Sequence, residues 1–289
     1  MLIPQKILEE KLKQLLAEDV GQGDVTTAAV IPLGTKAAAE VIAKEEGVVA
    51  GIEEAIILAE SLGLKAEKLK SDGDTLKKGQ VIINISGDAR TILTAERTLL
   101  NLLSRMSGIA TTTKRLVDKI RKAGLKTRIA ATRKTAPGLS IFDKKAVFVG
   151  GGDPHRLHLD DLVLIKDNHI AIAGSVESAV RKAKKNASFS KKIEVEVIRA
   201  EDAVVVAEAG ADVIMLDNFT PKRVREAVAL LAKAGFSGKV LLEASGGINE
   251  ENLLEYASTG VDVISIGALT HSVKAIDISL EILHSKTKP

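Results

Sequence analysis

Apolar residues recur along this chain with two different periods, and the change from one to the other divides it. Through MLIPQKILEEKLKQLLAED, Leu and Ile return every three or four residues between charges, which predicts an amphipathic helix ending near Gly21. EDVGQGDVTT then concentrates Gly, Asp and Thr, as turns and caps do. Residues 36–50 read as strand, 52–62 as a short helix, and SDGDTLKKGQVIINISGDA as a strand pair around turns. From Thr91 to Gly124 the spacing of Ile92, Ala95, Leu99, Leu102, Met106 and Ile109 is helical, with Gly108 as a candidate break.

Beyond Lys126 short apolar runs alternate with helix-length segments. KTRIAAT, DLVLIK, KIEVEV, DVIML, KVLLEA and DVISIG read as six strands. AGADVIML at Ala209 and TGVDVISI at Thr259 form an internal near-repeat, each after a helical stretch. A helix, a Gly stop, an Asp and a buried strand make the αβ joint of a parallel sheet, and its repetition suggests a barrel. Six strands fall short of the usual eight, so the expectation is an α/β fold with an incomplete barrel, an open doubly wound sheet being the alternative.

Composition narrows the chemistry. Aromatic residues are only 2% of the chain, so Ile, Leu, Val and Ala must build the core, as in buried parallel sheets. A formal net charge of +3 is too small for a nucleic-acid or membrane surface, so anions must be caught locally. The chain has no cysteine, which excludes thiol catalysis and thiolate metal sites and suits a reducing cytoplasm. No stretch resembles a signal peptide or an apolar membrane span, so a soluble, cytoplasmic protein is expected.

Barrel enzymes place their chemistry at the C-terminal ends of the strands. Here those ends are Arg133 and Lys134, Lys166, Glu196, Asp217, Glu243 with Ser245, and Gly267. Three cations at two of these ends suit an anionic substrate, since charge-assisted bonds to carboxylate or phosphate are strong where water is excluded. Glu196 and Asp217 suit Mg²⁺, held directly or through water, or a positive charge developing on carbon. One such carboxylate could simply pair with a lysine, but surface pairing does not produce a ring of charged ends. ASGGI and SIGAL follow the last two strands, where barrels bind phosphate through backbone N–H groups, although glycines also end strands for steric reasons.

VGGGDPHRLHLDD is the other unusual stretch. On a helix His155, His158 and Asp161 would share a face and could hold a metal, but no HExxH-type motif supports that. A glycine loop presenting His155 and Arg156 to an anion fits better, with His158 as a cap or core residue. Arg97 lies off the apolar stripe of its helix and reads as a surface arginine.

TRKTAPG, GGGDPHRLHLDDLVLIKDNH, IEVEV, MLDNF, EASGGI and GALTHS, in that order, resemble the quinolinate phosphoribosyltransferases. EDVGQGDVTT and AERTLLNLLSRMSGIAT extend the likeness over nearly the whole chain. The resemblance implies an N-terminal α/β sandwich over residues 1–110 and an incomplete α/β barrel over 111–271, with 272–289 packing back on the first domain. It implies transfer of phosphoribose from phosphoribosyl pyrophosphate to quinolinate with decarboxylation, giving nicotinate mononucleotide for NAD biosynthesis. It also implies Mg²⁺ and no organic cofactor.

The implied assembly is a homodimer with shared active sites, which can build a trimer of dimers, and Arg97 would reach the partner's site. Arg133, Lys134, His155, Arg156 and Lys166 match the basic lining of the quinolinate pocket. Lys134, Lys166, Glu196 and Asp217 match the catalytic and phosphoribosyl end, and Ser245, Gly246, Gly247, Gly267 and His271 the phosphate site. Two positions depart from the family pattern: Pro154 stands where Asn is usual, and Ser140 where an arginine is common. A related protein of molybdate-uptake operons shares the architecture, and the full basic set with the IEVEV carboxylates argues against it. A catalytically silent phosphosugar-binding regulator is a second alternative, since fold does not fix function.

Overall fold

Leu8, Leu12 and Leu16, four residues apart, bury one face of the first helix, α1 (Gln5–Val20), and Gly21 ends it in a positive-φ conformation. The computed structural model describes residues 4–286, so the first three residues of the leading helical pattern lie outside the described residues. The Asp24 carboxylate accepts the Thr27 amide at 2.9 Å and caps α2 (Val25–Val30), a helix hidden in sequence by its β-branched residues. Strand β1 (Lys36–Ala43) buries Ala37, Ala39, Val41 and Ala43 in strict alternation. After it come β2 (Gly47–Val48), α3 (Ile52–Ser61), β3 (Lys65–Lys68), β4 (Thr75–Leu76) and β5 (Val81–Asp88), with β2 and β4 paired antiparallel.

Helix α4 (Ala89–Lys122) runs for 34 residues, and Gly108 does not divide it. A Cβ on Gly108 would lie 2.2 Å from the Lys274 carbonyl oxygen and 2.9 Å from Ala275 Cα. Glycine is therefore required by a close backbone approach and not by a break. Because backbone on that side cannot swing away like a side chain, Gly108→Ala is expected to cost about 1–3 kcal/mol. A lowered denaturation midpoint with unchanged helical circular dichroism would report it.

The second set of elements begins with β6 (Arg128–Ala130), α5 (Ser140–Val149), β7 (Val163–Ile165), α6 (Asp167–Ala173) and α7 (Val176–Asn186). It continues with β8 (Ile193–Val197), α8 (Ala200–Glu208), β9 (Val213–Asp217), α9 (Pro221–Lys233), β10 (Leu241–Ser245), α10 (Leu253–Ala257), β11 (Val263–Ser265) and α11 (Ala268–His271). All six strands are parallel, in the order β6-β11-β10-β9-β8-β7. The first strand pairs with the last and the others follow in sequence, which is the cyclic order of a barrel and not the reversing order of an open doubly wound sheet. The edges β6 and β7 do not pair with each other, so the barrel is incomplete.

The internal repeat has a structural task. Asp212 accepts the Ile193 amide and Asp262 the Leu242 amide, both at 2.8 Å, so each repeat's Asp fastens the start of the preceding strand. Gly210 and Gly260 precede them with φ of 98° and 97°, a turn that a Cβ would strain. The last strand, β12 (Ile278–Lys286), pairs antiparallel with β1 and completes a sheet ordered β12-β1-β5-β3. Residues up to Thr112 together with those from Val273 onward form one unit, and Thr113–Ser272 the other. Among the described residues no helix is long and apolar enough to cross a membrane.

Candidate active site

The parallel register aligns the strand ends. Glu196 stands beside Met215, Asp217 beside Ser245, and Ser245 beside Ser265. Since alternate residues share a face, Glu194 and Glu196 project from one side of β8, and Glu243 and Ser245 from one side of β10. Glu196 and Asp217 are half-buried at the rim, whereas Glu194 and Glu243, one step deeper, are 1% and 2% exposed. Glu243, read above as a strand end, therefore lies inside the barrel.

The cations at the rim differ in how they are held. The Lys166 ammonium donates to Glu196, the carboxylate on the neighbouring strand. No hydrogen-bond or ion-pair partner is recorded for the side chains of Arg133, Lys134 or Arg156 among the described residues. Burial lowers the pKa of Arg156, and the nearby charge of Arg133 lowers it further against the pull of Glu194 and Glu196. Like charges kept close without ion-paired carboxylates make a site that favours the entry of an anion.

Residues 150–157 form an extended connection and not a helix, so His155, His158 and Asp161 do not share a helical face. His158 is exposed and caps nothing; the Asp161 carboxylate accepts the amides of Leu157 and His158 at 2.6 and 2.9 Å. The connection zips onto β6, with the Asp153 amide donating to Ile129 at 2.8 Å and the Ala131 amide to Asp153 at 2.9 Å. His155 follows with φ 56°, in the left-handed region that is uncommon for residues other than glycine. Its amide donates to the Asp153 carboxylate at 2.7 Å.

The His155 ring turns into the barrel. Its Nε2 lies 3.1 Å from Glu243 Oε2 and 3.6 Å from Glu194 Oε2, while its Nδ1 accepts the Arg156 amide at 2.8 Å. Burial works against a charged imidazole here, but the two carboxylates outweigh it and raise the pKa to about 10. The Arg156 amide opposes that rise, because Nδ1 accepts it only while unprotonated, which leaves the ring's one proton on Nε2 between the two acids. Burial and the neighbouring Glu243 charge raise the Glu194 carboxyl in turn. The three ligand atoms have the composition of a metal site, yet 3.1 Å is a hydrogen-bond distance that one proton satisfies.

Glycines shape the opposite side of the rim. The Asn218 amide donates to the Ser245 carbonyl at 2.8 Å, and its side chain donates to Asp217 at 2.9 Å. A Cβ on Gly246 would fall 2.1 Å from Asn218 Oδ1, and φ of 95° already demands glycine there. A Cβ on Gly267 would meet the His271 ring and Lys134 Cδ at 3.1–3.2 Å, which places His271, Gly267 and Lys134 side by side. Among the described residues no acceptor is recorded for the amides of Gly246, Gly247 or Gly267, which leaves three donors for an anion.

The structure thus gathers Lys166 with Glu196, Asp217 with Ser245 and Gly246, and Lys134 with Gly267 and His271, and sets Arg133 and Arg156 close to each other. Arg97 is exposed on α4 in the other unit and is not among the strand-end residues. Sequence reasoning missed Lys144 on α5. It is fully buried, and its ammonium donates to the carbonyls of Pro154 and Arg156, the latter at 3.1 Å. Burial lowers its pKa to about 8, with Asp153 acting upward and Arg133 and Arg156 downward. A cleft of about 470 Å³ lined by Val117, Ile120, Phe148 and Gly152 holds none of the charged strand ends and is not this site.

The chain is similar to known proteins over both of its units. Residues 24–107 match the family model described as the N-terminal domain of quinolinate phosphoribosyl transferase, and residues 109–281 that of its C-terminal domain. A "probable nicotinate-nucleotide pyrophosphorylase [carboxylating]" of Methanocaldococcus jannaschii is 51% identical over 276 residues, covering 94% of this chain and 96% of the relative. Its namesake from Methanothermobacter thermautotrophicus is 49% identical over 271 residues, covering 94% and 97%. Among solved structures, NadC from Streptococcus pyogenes superposes with a TM-score of 0.89 at 35% identity, covering 99% of each chain. The nicotinate-nucleotide pyrophosphorylase of Francisella tularensis gives 0.88 at 39% identity, covering 97% of this chain and 98% of that one. With both domain models spanning most of its length, the chain belongs to the quinolinate phosphoribosyltransferase family.

Proposed function

We propose that this chain transfers the phosphoribosyl group of phosphoribosyl pyrophosphate to quinolinate, releasing pyrophosphate and carbon dioxide and forming nicotinate mononucleotide. The observation that carries the reading is the rim itself. Among the described residues Arg133, Lys134 and Arg156 form no ion pair with a carboxylate, and they stand with the half-buried acids Glu196 and Asp217 and the amides of Gly246 and Gly247 around one barrel mouth. A dianionic pyridine dicarboxylate supplies the missing charge for the cations, and bidentate guanidinium–carboxylate bonds fix its ring.

The C1–O bond to pyrophosphate breaks with its electron pair leaving on oxygen, and the pyridine nitrogen forms the new bond from the opposite face, so C1 inverts. Lys134, His271 and the glycine amides hold the 5′-phosphate, and Lys166 is kept at the ribose by Glu196. Glu196 and Asp217 face the positive charge that develops on the ribose, as fixed carboxylates do at other glycosyl transition states. The bond between C2 and its carboxylate then breaks with its electron pair left on C2, where the adjacent positively charged nitrogen stabilises it; carbon dioxide leaves and C2 takes up a solvent proton.

Glu196 and Asp217 also suit Mg²⁺. Each has one carboxylate oxygen engaged by a neighbour and one with no recorded protein partner, a hard-oxygen set at a water-accessible rim. Bound there, Mg²⁺ would supply positive charge to the pyrophosphate oxygens.

The functional unit in this reading is a homodimer in which Arg97 of one subunit completes the other's quinolinate pocket. Mixing and refolding equal amounts of Arg97→Ala and Glu196→Gln chains, each inactive alone, would then restore about a quarter of the sites, because each mixed two-fold dimer regains one intact site. No recovery above the separate variants would refute the sharing. The reading as a whole is tested by following pyrophosphate from purified chain, phosphoribosyl pyrophosphate and Mg²⁺ with quinolinate or nicotinate as acceptor. Release with quinolinate and not with nicotinate supports it; a folded chain that releases none is a binder or a relative with another substrate.

A further inference from the structure

The family's pocket residues do not account for three buried charged side chains behind them: Lys144, Glu194 and Glu243, at 0%, 1% and 2% exposure. Burying charge is costly unless it is used, and all three converge on residues 153–157. Lys144 reaches from α5 to the carbonyls of Pro154 and Arg156. Glu243 and Glu194 reach from β10 and β8 to the His155 ring. That ring in turn receives the Arg156 amide. The peptide on each side of Arg156 is therefore tied, on one side through His155 and on the other through Lys144, while its guanidinium makes no hydrogen bond or ion pair among the described residues.

We propose that Lys144, Glu194 and Glu243 are positioning residues that aim Arg156 at the quinolinate carboxylates by fixing the backbone of residues 153–157. The strained His155 conformation fits this task. A residue with φ 56° reverts to a more ordinary backbone unless its surroundings hold it, and here the Asp153 carboxylate, Glu243 and Glu194 hold it from three directions. Pro154, where the family pattern has Asn, stiffens the same segment from within. The two glutamates also have one oxygen each with no hydrogen-bond partner, so they are retained at a cost that core packing alone does not explain.

This inference rests on the reading of quinolinate as the ligand, and calorimetry separates the two. The parent, Lys144→Met, Glu243→Leu and Glu243→Gln are each titrated with quinolinate and, separately, with phosphoribosyl pyrophosphate and Mg²⁺. Lys144→Met and Glu243→Leu approach the loop from opposite sides, and either suffices if the other does not fold. The expected result is a fall in quinolinate affinity of about tenfold or more, with phosphoribosyl pyrophosphate affinity changed less than about twofold. Glu243→Gln, which can still accept from His155 Nε2, should recover most of the loss. Equal losses for both ligands would mean a merely structural role and overturn the proposal, as would unchanged quinolinate binding in the variants. A parent that binds no quinolinate sinks the underlying reading and this inference with it.

Discussion

Glu196→Gln is expected to lower turnover by about 10²- to 10³-fold while quinolinate affinity stays within about twofold, and Asp217→Asn should show the same split. The two carboxylates end adjacent strands of one sheet and are half-buried, so their charge is less screened than at an open surface. The ribose carbon carries no charge in the ground state and substantial positive charge as pyrophosphate departs. A fixed negative group there stabilises only the transition state, and the neutral isostere removes that without changing the pocket's shape. Glu196 also holds Lys166, so part of its effect could come from a displaced lysine. Asp217 accepts from Asn218 and forms no ion pair with a lysine among the described residues, so its variant gives the cleaner figure. Steady-state kinetics with calorimetry on the same preparations makes the comparison, and a rise in KM at constant kcat would show that the carboxylates serve binding alone.

The second large effect belongs to the arginines, and it has two opposite signs. Arg156→Gln and Arg133→Gln should each weaken quinolinate binding by about 10²-fold, since truncating one partner of a desolvated charge pair costs about 2–5 kcal/mol. The same substitutions should raise the denaturation midpoint of the unliganded chain. Burial and then the Arg133 charge lower the Arg156 pKa, and the Lys144 ammonium is pushed down to about 8 by burial with both arginines adding to it. Removing one cation relieves that repulsion, so stability rises as affinity falls, the trade expected where a site is built before its ligand arrives. A midpoint that drops with affinity would mean the arginines are structural.

The barrel and its rim were legible in sequence for physical reasons. The Gly-then-Asp joint before a buried strand appears twice because Asp212 and Asp262 fasten neighbouring strands, so the repeat reported topology directly. Strand ends were readable because the apolar run stops where the sheet meets solvent, and Lys166 and Asp217 are the first charges after it. Depth was less readable. In IEVEV the two glutamates share a face, and alternation alone cannot say that Glu194 is sealed inside while Glu196 stands at the mouth. Lys144 in FDKKAV looks like a solvated helix face, and only tertiary packing shows that it spends its charge on loop carbonyls. The loop around His155 was legible because three glycines and a proline cost a helix more than its periodic histidines return. Gly108 was misread, since a glycine in a helix marks either a break or a close neighbour, and the neighbour, residues 274–275, is distant in sequence.

The central claim, that this rim joins quinolinate to phosphoribose and lets the alkylated ring lose its 2-carboxylate, is tested most directly with quinolinate labelled at that carboxylate. Label and pyrophosphate are followed together in the presence and absence of phosphoribosyl pyrophosphate. The account predicts one labelled carbon dioxide for each pyrophosphate, none without the phosphoribosyl donor, and nicotinate mononucleotide as the β-anomer. Pyrophosphate released with the label retained, or no release of either from a folded chain that binds both substrates, would contradict it.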